Sequence, residues 1–107
     1  MTTFDDREKG FETKFARDQE LAFRIAARRN RLLGAWAAEK LGLTQEEADA
    51  YGKAVVQADF EEAGDEDVIR KVFGDLTAAG IDVSEQEVRR ALEERNVEAR
   101  RQLMEAK

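Results

Sequence analysis

Gly42-Leu43-Thr44-Gln45-Glu46-Glu47 ends one helix and starts another within a single short stretch. A glycine just past a helix, followed by an apolar residue, is the pattern of a left-handed C-terminal cap. A threonine followed three residues later by glutamate is a capping box, in which side chain and backbone satisfy each other's donors. The same punctuation recurs at Gly80-Ile81 and Ser84-Glu85-Gln86-Glu87. Gly64 is a third candidate stop, and Asp65 is placed to cap the helix after it, with Glu66 and Asp67 favoured in its first turn by the helix dipole.

Outward from these signals, the chain divides into helices at about 5–41, 45–63, 66–79 and 85–105. The absence of proline and the presence of 17 alanines favour helix throughout. Each segment carries an apolar stripe at helical spacing. The first has Phe4, Phe11, Phe15, Ala22, Ile25, Leu32, Leu33 and Trp36, and the second Ala48, Tyr51, Val55 and Ala58. The third has Val68, Ile69, Val72, Phe73 and Leu76. The fourth and weakest has Val88, Leu92, Ala99 and Leu103. Short connections make sequential helices antiparallel neighbours. The expected fold is all-α, a four-helix bundle without internal repeats. Gly34, inside the first helix, marks a close helix approach or a slight kink.

The helix lengths disagree. At 1.5 Å per residue the first would run about 55 Å, and the others roughly 20–32 Å. The bundle therefore covers only the C-terminal half of the first helix. Residues 1–18 are expected to form a frayed or disordered arm in the free protein, since an isolated helix of that length is marginal in water. Residues 19–107 form the bundle, with its first helix at about 19–41. Gly10 weakens the arm further. Two readings of its aligned phenylalanines, Phe4, Phe11 and Phe15, stand side by side: the arm folds on a partner, or it folds back and the rings are ordinary core.

Composition excludes several chemistries. The 107 residues contain no Cys and no His, and Ser84 is the only serine. Disulfides, thiolate zinc sites, histidine general bases and a conventional serine triad are thereby removed. No catalytic residue, cofactor or metal is expected. Leu, Ile, Val and Phe supply 24 residues, just above the roughly 20% below which disorder is expected. The core is therefore thin and the stability a few kcal/mol. No apolar run is long enough to span a membrane, and no signal-peptide pattern opens the chain, so an intracellular protein without direct membrane insertion is expected.

The net charge of −6 is uneven. Residues 1–40 carry nine Lys/Arg against seven Asp/Glu, and residues 41–80 three against ten. Nucleic-acid binding is not expected, because phosphate neutralisation needs a broad basic face. Arg24, Arg28, Arg29 and Arg31 form a local basic cluster. It is read either as helix-surface ion pairs, such as Glu20 with Arg24, or as docking onto the acidic middle. The acidic run Asp59, Glu61, Glu62, Asp65, Glu66 and Asp67 fails the EF-hand spacing. Glu61 and Glu62, at a helix C-terminus where the dipole disfavours them, call for an arginine partner.

Five segments carry a resemblance. They are Thr3-Phe-Asp-Asp-Arg-Glu8, Phe11-Glu-Thr-Lys-Phe-Ala-Arg-Asp18, Ala27-Arg-Arg-Asn-Arg-Leu-Leu-Gly34, Trp36-Ala-Ala-Glu39 and Ala58-Asp-Phe-Glu-Glu-Ala-Gly-Asp-Glu-Asp-Val68. Together the chain resembles the zeta subunit family, inhibitors of the F1Fo-ATP synthase in alphaproteobacteria. The likeness is strong over residues 3–41 and 58–80, and loose over 43–57 and after 81.

The resemblance implies a four-helix bundle and a non-enzymatic inhibitor of ATP hydrolysis by F1. It implies that the N-terminal segment becomes helical on entering an α/β catalytic interface near the central rotor subunits. Carried onto this chain, that segment is Thr2 to about Arg17. Phe4, Phe11 and Phe15 would be its apolar anchors. Thr2, Thr3, Asp5, Asp6, Arg7, Lys9, Lys14 and Arg17 would complete the partner-binding set. The implied location is cytoplasmic, peripheral to the inner membrane through F1. Without histidine, regulation cannot follow the histidine-based pH sensing of the mitochondrial inhibitor. The alternative is a small helical nucleotide- or ligand-binding regulatory module, with weak nucleotide binding where Arg24 to Arg31 face the acidic middle across a cleft.

Overall fold

A computed structural model describes the backbone of residues 3–59 and 65–105, and the side chains of residues 17–59 and 65–105. Four helices follow one another: α1 (Thr3–Leu41), α2 (Gln45–Ala58), α3 (Glu66–Ala78) and α4 (Glu85–Glu105). No strand occurs among the described residues. The all-α, four-helix architecture expected from the punctuation is therefore present.

The glycine caps form as their sequence pattern requires. Gly42 and Gly80 have φ of 71° and 79°, the left-handed region that a side chain would strain. Leu43 N–H donates to Ala38 C=O at 3.1 Å and Gly42 N–H to Glu39 C=O at 3.2 Å. At the second site Ile81 N–H donates to Leu76 C=O at 2.9 Å and Gly80 N–H to Thr77 C=O at 3.0 Å. Both are Schellman arrangements. The Thr44 box is complete: Glu47 N–H donates to Thr44 Oγ1 and Thr44 N–H to Glu47 Oε1. At Ser84 the hydroxyl accepts from Glu87 N–H at 3.1 Å.

Two boundaries differ from expectation. α2 stops at Ala58, with Asp59 as its C-cap, rather than continuing to residue 63. Asp65 takes the N-cap position of α3, but its side chain caps nothing and its backbone is already helical. Its carboxylate is occupied elsewhere, as described below. Gly64, Glu61 and Glu62, and the readings attached to them, lie outside the described residues.

α1 is the spine of the bundle. It packs against α2, α3 and α4; α3 also contacts α2 and α4, while α2 and α4 do not touch each other. The centre is filled by Leu33, Ala37, Val55, Val68, Ile69, Val72, Leu76, Val88, Ala91 and Leu92, all buried. Trp36, Tyr51, Phe73, Ile81 and Val83 pack against it half-buried. Most of the stripes therefore point inward as read. Ala22 does not: it is exposed, because α1 has begun to outrun its neighbours there.

Gly34 meets Gly52 where α1 and α2 approach most closely. A Cβ built on Gly34 would stand 2.8 Å from Gly52 Cα. Of the two expectations for Gly34, close approach is the one realised. Farther along α2, Tyr51 donates its hydroxyl hydrogen to Asp75 Oδ2 at 2.8 Å, and Lys71 Nζ reaches the same oxygen at 3.1 Å. Burial, then the bond to Asp75, push the tyrosine pKa up, so this hydroxyl remains a donor.

Acid stability follows from three exposed carboxylates. Thr44 hydrogen bonds, first from its backbone N–H, hold Glu47 below its ordinary value of 4.5. The Arg89 hydrogen bond does the same for Glu66, and bonds from Arg101 and then Gln102 do so for Glu98. A carboxylate whose folded pKa is depressed adds stability above its unfolded pKa and loses it as pH falls through the folded one. With no histidine, nothing in the side chains titrates near neutrality. Tm is expected to stay level between about pH 6 and 8 and to drop below the ordinary value of 4.5. Thermal melts across that range check it.

Candidate functional site

Burial along α1 is graded. Leu33, Ala37 and Ala38 are sealed in the core, and Arg29 and Asn30 are buried one turn earlier. Ile25, Ala26 and Ala27 are half-buried, Leu21 is the first of the described side chains to be partly covered, and Arg17 to Glu20 are all exposed. The helix nevertheless runs on to Thr3. On the α4 side, cover ends in an open groove of about 380 Å³, where Asp18, Leu21, Ile25 and Ala26 stand opposite Asn96 and Arg100. Among the described side chains, the bundle thus holds α1 most firmly by its C-terminal half, and burial fades toward Leu21.

The residues assigned to partner binding all precede Leu21. Arg17 is exposed on α1. Thr3, Phe4, Asp5, Asp6, Arg7, Lys9, Phe11, Lys14 and Phe15 belong to the first turns of α1, and their side chains lie outside those described, as does Thr2. The choice between a frayed arm and an arm packed back on the core concerns these same residues and lies outside the described ones too.

Inside the bundle the structure assembles a polar junction that the apolar stripes did not reveal. Arg29 reaches from α1 to both ends of the α2–α3 connection: Nη1 stands 3.1 Å from Asp65 Oδ1 and Nη2 3.8 Å from Asp59 Oδ2. Its Nε–H donates to Asn30 Oδ1 at 3.1 Å. Asn30 is fully buried, and its Nδ2 has no hydrogen-bond partner; nor has Oδ2 of the buried Asp67. A buried guanidinium needs such pairing, because burial removes the water that would otherwise solvate it. Asp65 gives up a conventional N-cap role to supply it, and Asp59 supplies it from the C-cap position of α2. A signal was available: Asn30 stands three and four residues before Leu33 and Gly34, squarely on the buried face.

The basic cluster therefore splits. Among the described residues, docking onto the acidic middle is realised by Arg29 alone. Arg24, Arg28 and Arg31 are exposed, and no Glu20–Arg24 ion pair forms. Between Arg29 and the described part of the acidic middle no cleft remains, since Arg29 is in direct contact with Asp59 and Asp65. The rest of the described acidic run is also engaged. Glu66 takes a two-pronged bond from Arg89 at 2.8 Å on each arm, and Asp67 Oδ1 accepts from Arg70 at 3.0 Å. Among the described residues no three acidic side chains gather as a metal site. None of the described helices is long and apolar enough to cross a membrane.

Arg29→Ala is expected to lower folding stability by about 1–2 kcal/mol, since it strands Asp59 and Asn30. The figure is held down because Asp65 is half exposed and water screens it. Arg29→Lys should recover less than half of the loss, because an ammonium cannot fork between two carboxylates and also bond Asn30. Urea denaturation of the two variants measures both.

A family model described as ATPase inhibitor subunit zeta matches residues 1–102. Among solved structures, one determined by solution NMR is 50% identical, covers 79% of this chain and 96% of its own, and superposes with a TM-score of 0.70. Among curated proteins, none matches the chain.

Proposed function

The chain belongs to the ATPase inhibitor subunit zeta family, and from that premise we propose that it inhibits ATP hydrolysis by the F1 sector of an ATP synthase. In this reading residues 1–18 are the effector. They enter an α/β catalytic interface as a helix, reach toward the central rotor, and act as a wedge against the rotation that accompanies hydrolysis. Phe4, Phe11 and Phe15 lie along one side and anchor the segment in apolar walls. Thr2, Thr3, Asp5, Asp6, Arg7, Lys9, Lys14 and Arg17 make the polar contacts. The protein contributes no catalytic group and works in the cytoplasm, at the membrane surface only through F1.

One observation supports the reading: among the described side chains, burial along α1 fades from Leu33 to the exposed Arg17–Glu20, while the helix continues to Thr3. In this reading the helix N-terminal to Arg17 has no packing role inside the bundle. Helix propensity alone holds such a segment weakly in water, so a surface supplied by a partner is what stabilises it. The bundle is then the handle. Its all-α core is too small and too well filled to offer an enclosed binding chamber. The pairing of Arg29 with Asp59 and Asp65 also favours this reading over a nucleotide-binding one, since it takes that arginine away from a ligand.

Photo-crosslinking tests the placement. With a benzophenone side chain at position 11, irradiation of the complex with F1 should yield adducts to the α or β subunit. Adducts confined to other subunits, in a sample that still inhibits, would show that inhibition does not proceed through this interface.

A further inference from the structure

The exposed arginines of α1 form a line. Arg17, Arg24, Arg28 and Arg31 stand at i, i+7, i+11 and i+14, which places them within about 60° of one another around the helix and spreads them over about 21 Å. All four are exposed. They lie on the side of α1 opposite Leu33 and Ala37, which are sealed in the core. No ion pair among the described residues neutralises any of them, although pairs form at Arg29, Arg70, Lys71, Arg89, Arg95 and Arg101. Glu20 lies beside the line without pairing. Arg31, at the far end, flanks a small groove that also contains Asp49 of α2, again without an ion pair.

Such a row is conspicuous in a chain of net charge −6. Like charges at these helical spacings repel one another, so the row is not explained by the stability of α1. We propose that this stripe is a second contact surface, which docks on an acidic rim at the mouth of the interface that receives the arm. The proposal rests on the arm reading above. It follows from the continuity of α1, which runs unbroken from Thr3 to Leu41. If the arm is inside the partner, Arg24 and Arg28 stand about 10 and 16 Å beyond Arg17 on the same rigid rod, and so face the partner's outer edge. The partner's chemistry follows from shape and charge. The stripe is one arginine wide, too narrow for a phosphate polymer or a membrane surface, which would also feel the acidic remainder of the chain. Planar guanidiniums in a row match carboxylates presented at the edge of a protein surface.

Contacts of this kind act mainly on the encounter rate, and salt weakens them. The test compares R24E/R28E with the charge-matched K53E/R90E, whose sites are exposed and lie on other helices. The onset of F1 inhibition is timed at about 50 mM and about 500 mM salt. At low salt R24E/R28E should inhibit on the order of tenfold more slowly than the unmodified protein, while K53E/R90E stays within about twofold. At high salt the three should converge.

Thermal melts accompany each variant, and R24Q/R28Q replaces R24E/R28E if the double reversal unfolds. Equal rates for the unmodified protein and R24E/R28E at both salts would overturn the stripe while leaving the arm reading intact. Equal slowing by both variants would assign the effect to net charge and overturn it as well. Binding of the unmodified protein to phosphatidylglycerol vesicles, lost in R24E/R28E, would assign the stripe to a membrane instead. Failure of the unmodified protein to inhibit at all would remove the arm reading first and this inference with it.

Discussion

Gly34→Ala should destabilise the bundle by about 2 kcal/mol, while Gly52→Ala, its contact partner, should stabilise it by about 0.5–1 kcal/mol. The two glycines touch, so an argument from proximity alone would give them the same sign. The geometry does not. A Cβ on Gly34 points at the α2 backbone, 2.8 Å from Gly52 Cα and 3.4 Å from Gly52 N. Neither atom can rotate away, so the whole of α2 must shift, and Val55, buried in the core, shifts with it. Overpacking of this kind typically costs about 1–3 kcal/mol, and the helix-forming advantage of alanine offsets about 1 kcal/mol. The upper end applies because the obstacle is backbone. A Cβ on Gly52 meets only Arg31 O, at 3.9 Å, an ordinary contact, so the gain in helix propensity survives. For a domain of this size, about 1 kcal/mol moves Tm by roughly 4–8 °C. The variants should therefore part in opposite directions by an easily measured margin, and a shared sign would mean that α1 and α2 do not meet as described.

The second large effect falls on inhibition rather than on folding. Phe11→Ala/Phe15→Ala should weaken inhibition of F1 by about 3–6 kcal/mol, at roughly 1.5–3 kcal/mol for each ring that becomes fully buried in the partner. Its Tm should match that of the unmodified protein. The reasoning is spatial. Among the described side chains, the sealed apolar residues of α1, Leu33, Ala37 and Ala38, all lie in its last turns, and Phe15 precedes the first half-buried one, Leu21, by more than a turn. A titration of hydrolysis alongside a thermal melt separates the outcomes. A large loss of Tm would place the rings in the core and return the arm to the ordinary-core reading.

Much of the fold was legible because helix termini are written in local chemistry. Gly42 and Gly80 need positive φ, and Thr44 and Ser84 carry the oxygen that a helix start requires. Those residues located one end of each of the four helices before any packing was considered. Where tertiary contact overrode local preference, legibility failed. Asp65 reads as a cap and sits in the cap position, but Arg29 draws its carboxylate away. α2 reads as continuing past Ala58, but it ends where Asp59 turns to the same guanidinium. Arg29 and Asn30 were missed because charge and amide are normally signs of a solvated face; only their register with Leu33 and Gly34 betrays them. Gly34 announced a close approach, whereas Gly52 gave no hint that it was the partner. At the site, the helix lengths lead the sequence to expect an arm beyond the bundle, and the fading of burial from Leu33 toward Leu21 is what the same arithmetic gives for the described side chains. Which of the Arg24–Arg31 cations turn outward depends on angles of 100° per residue combined with the placement of α2 and α4, and clustering in sequence obscured that difference.

The central claim is that the bundle is a handle and residues 1–18 are the effector. Hydrolysis of ATP by F1, titrated with the full chain and with a chain beginning at residue 19, tests it most directly. The account predicts that the full chain inhibits and that the shortened chain, with its melt unchanged, does not. Equal inhibition by both would contradict it and move the inhibitory contact onto the faces of the bundle.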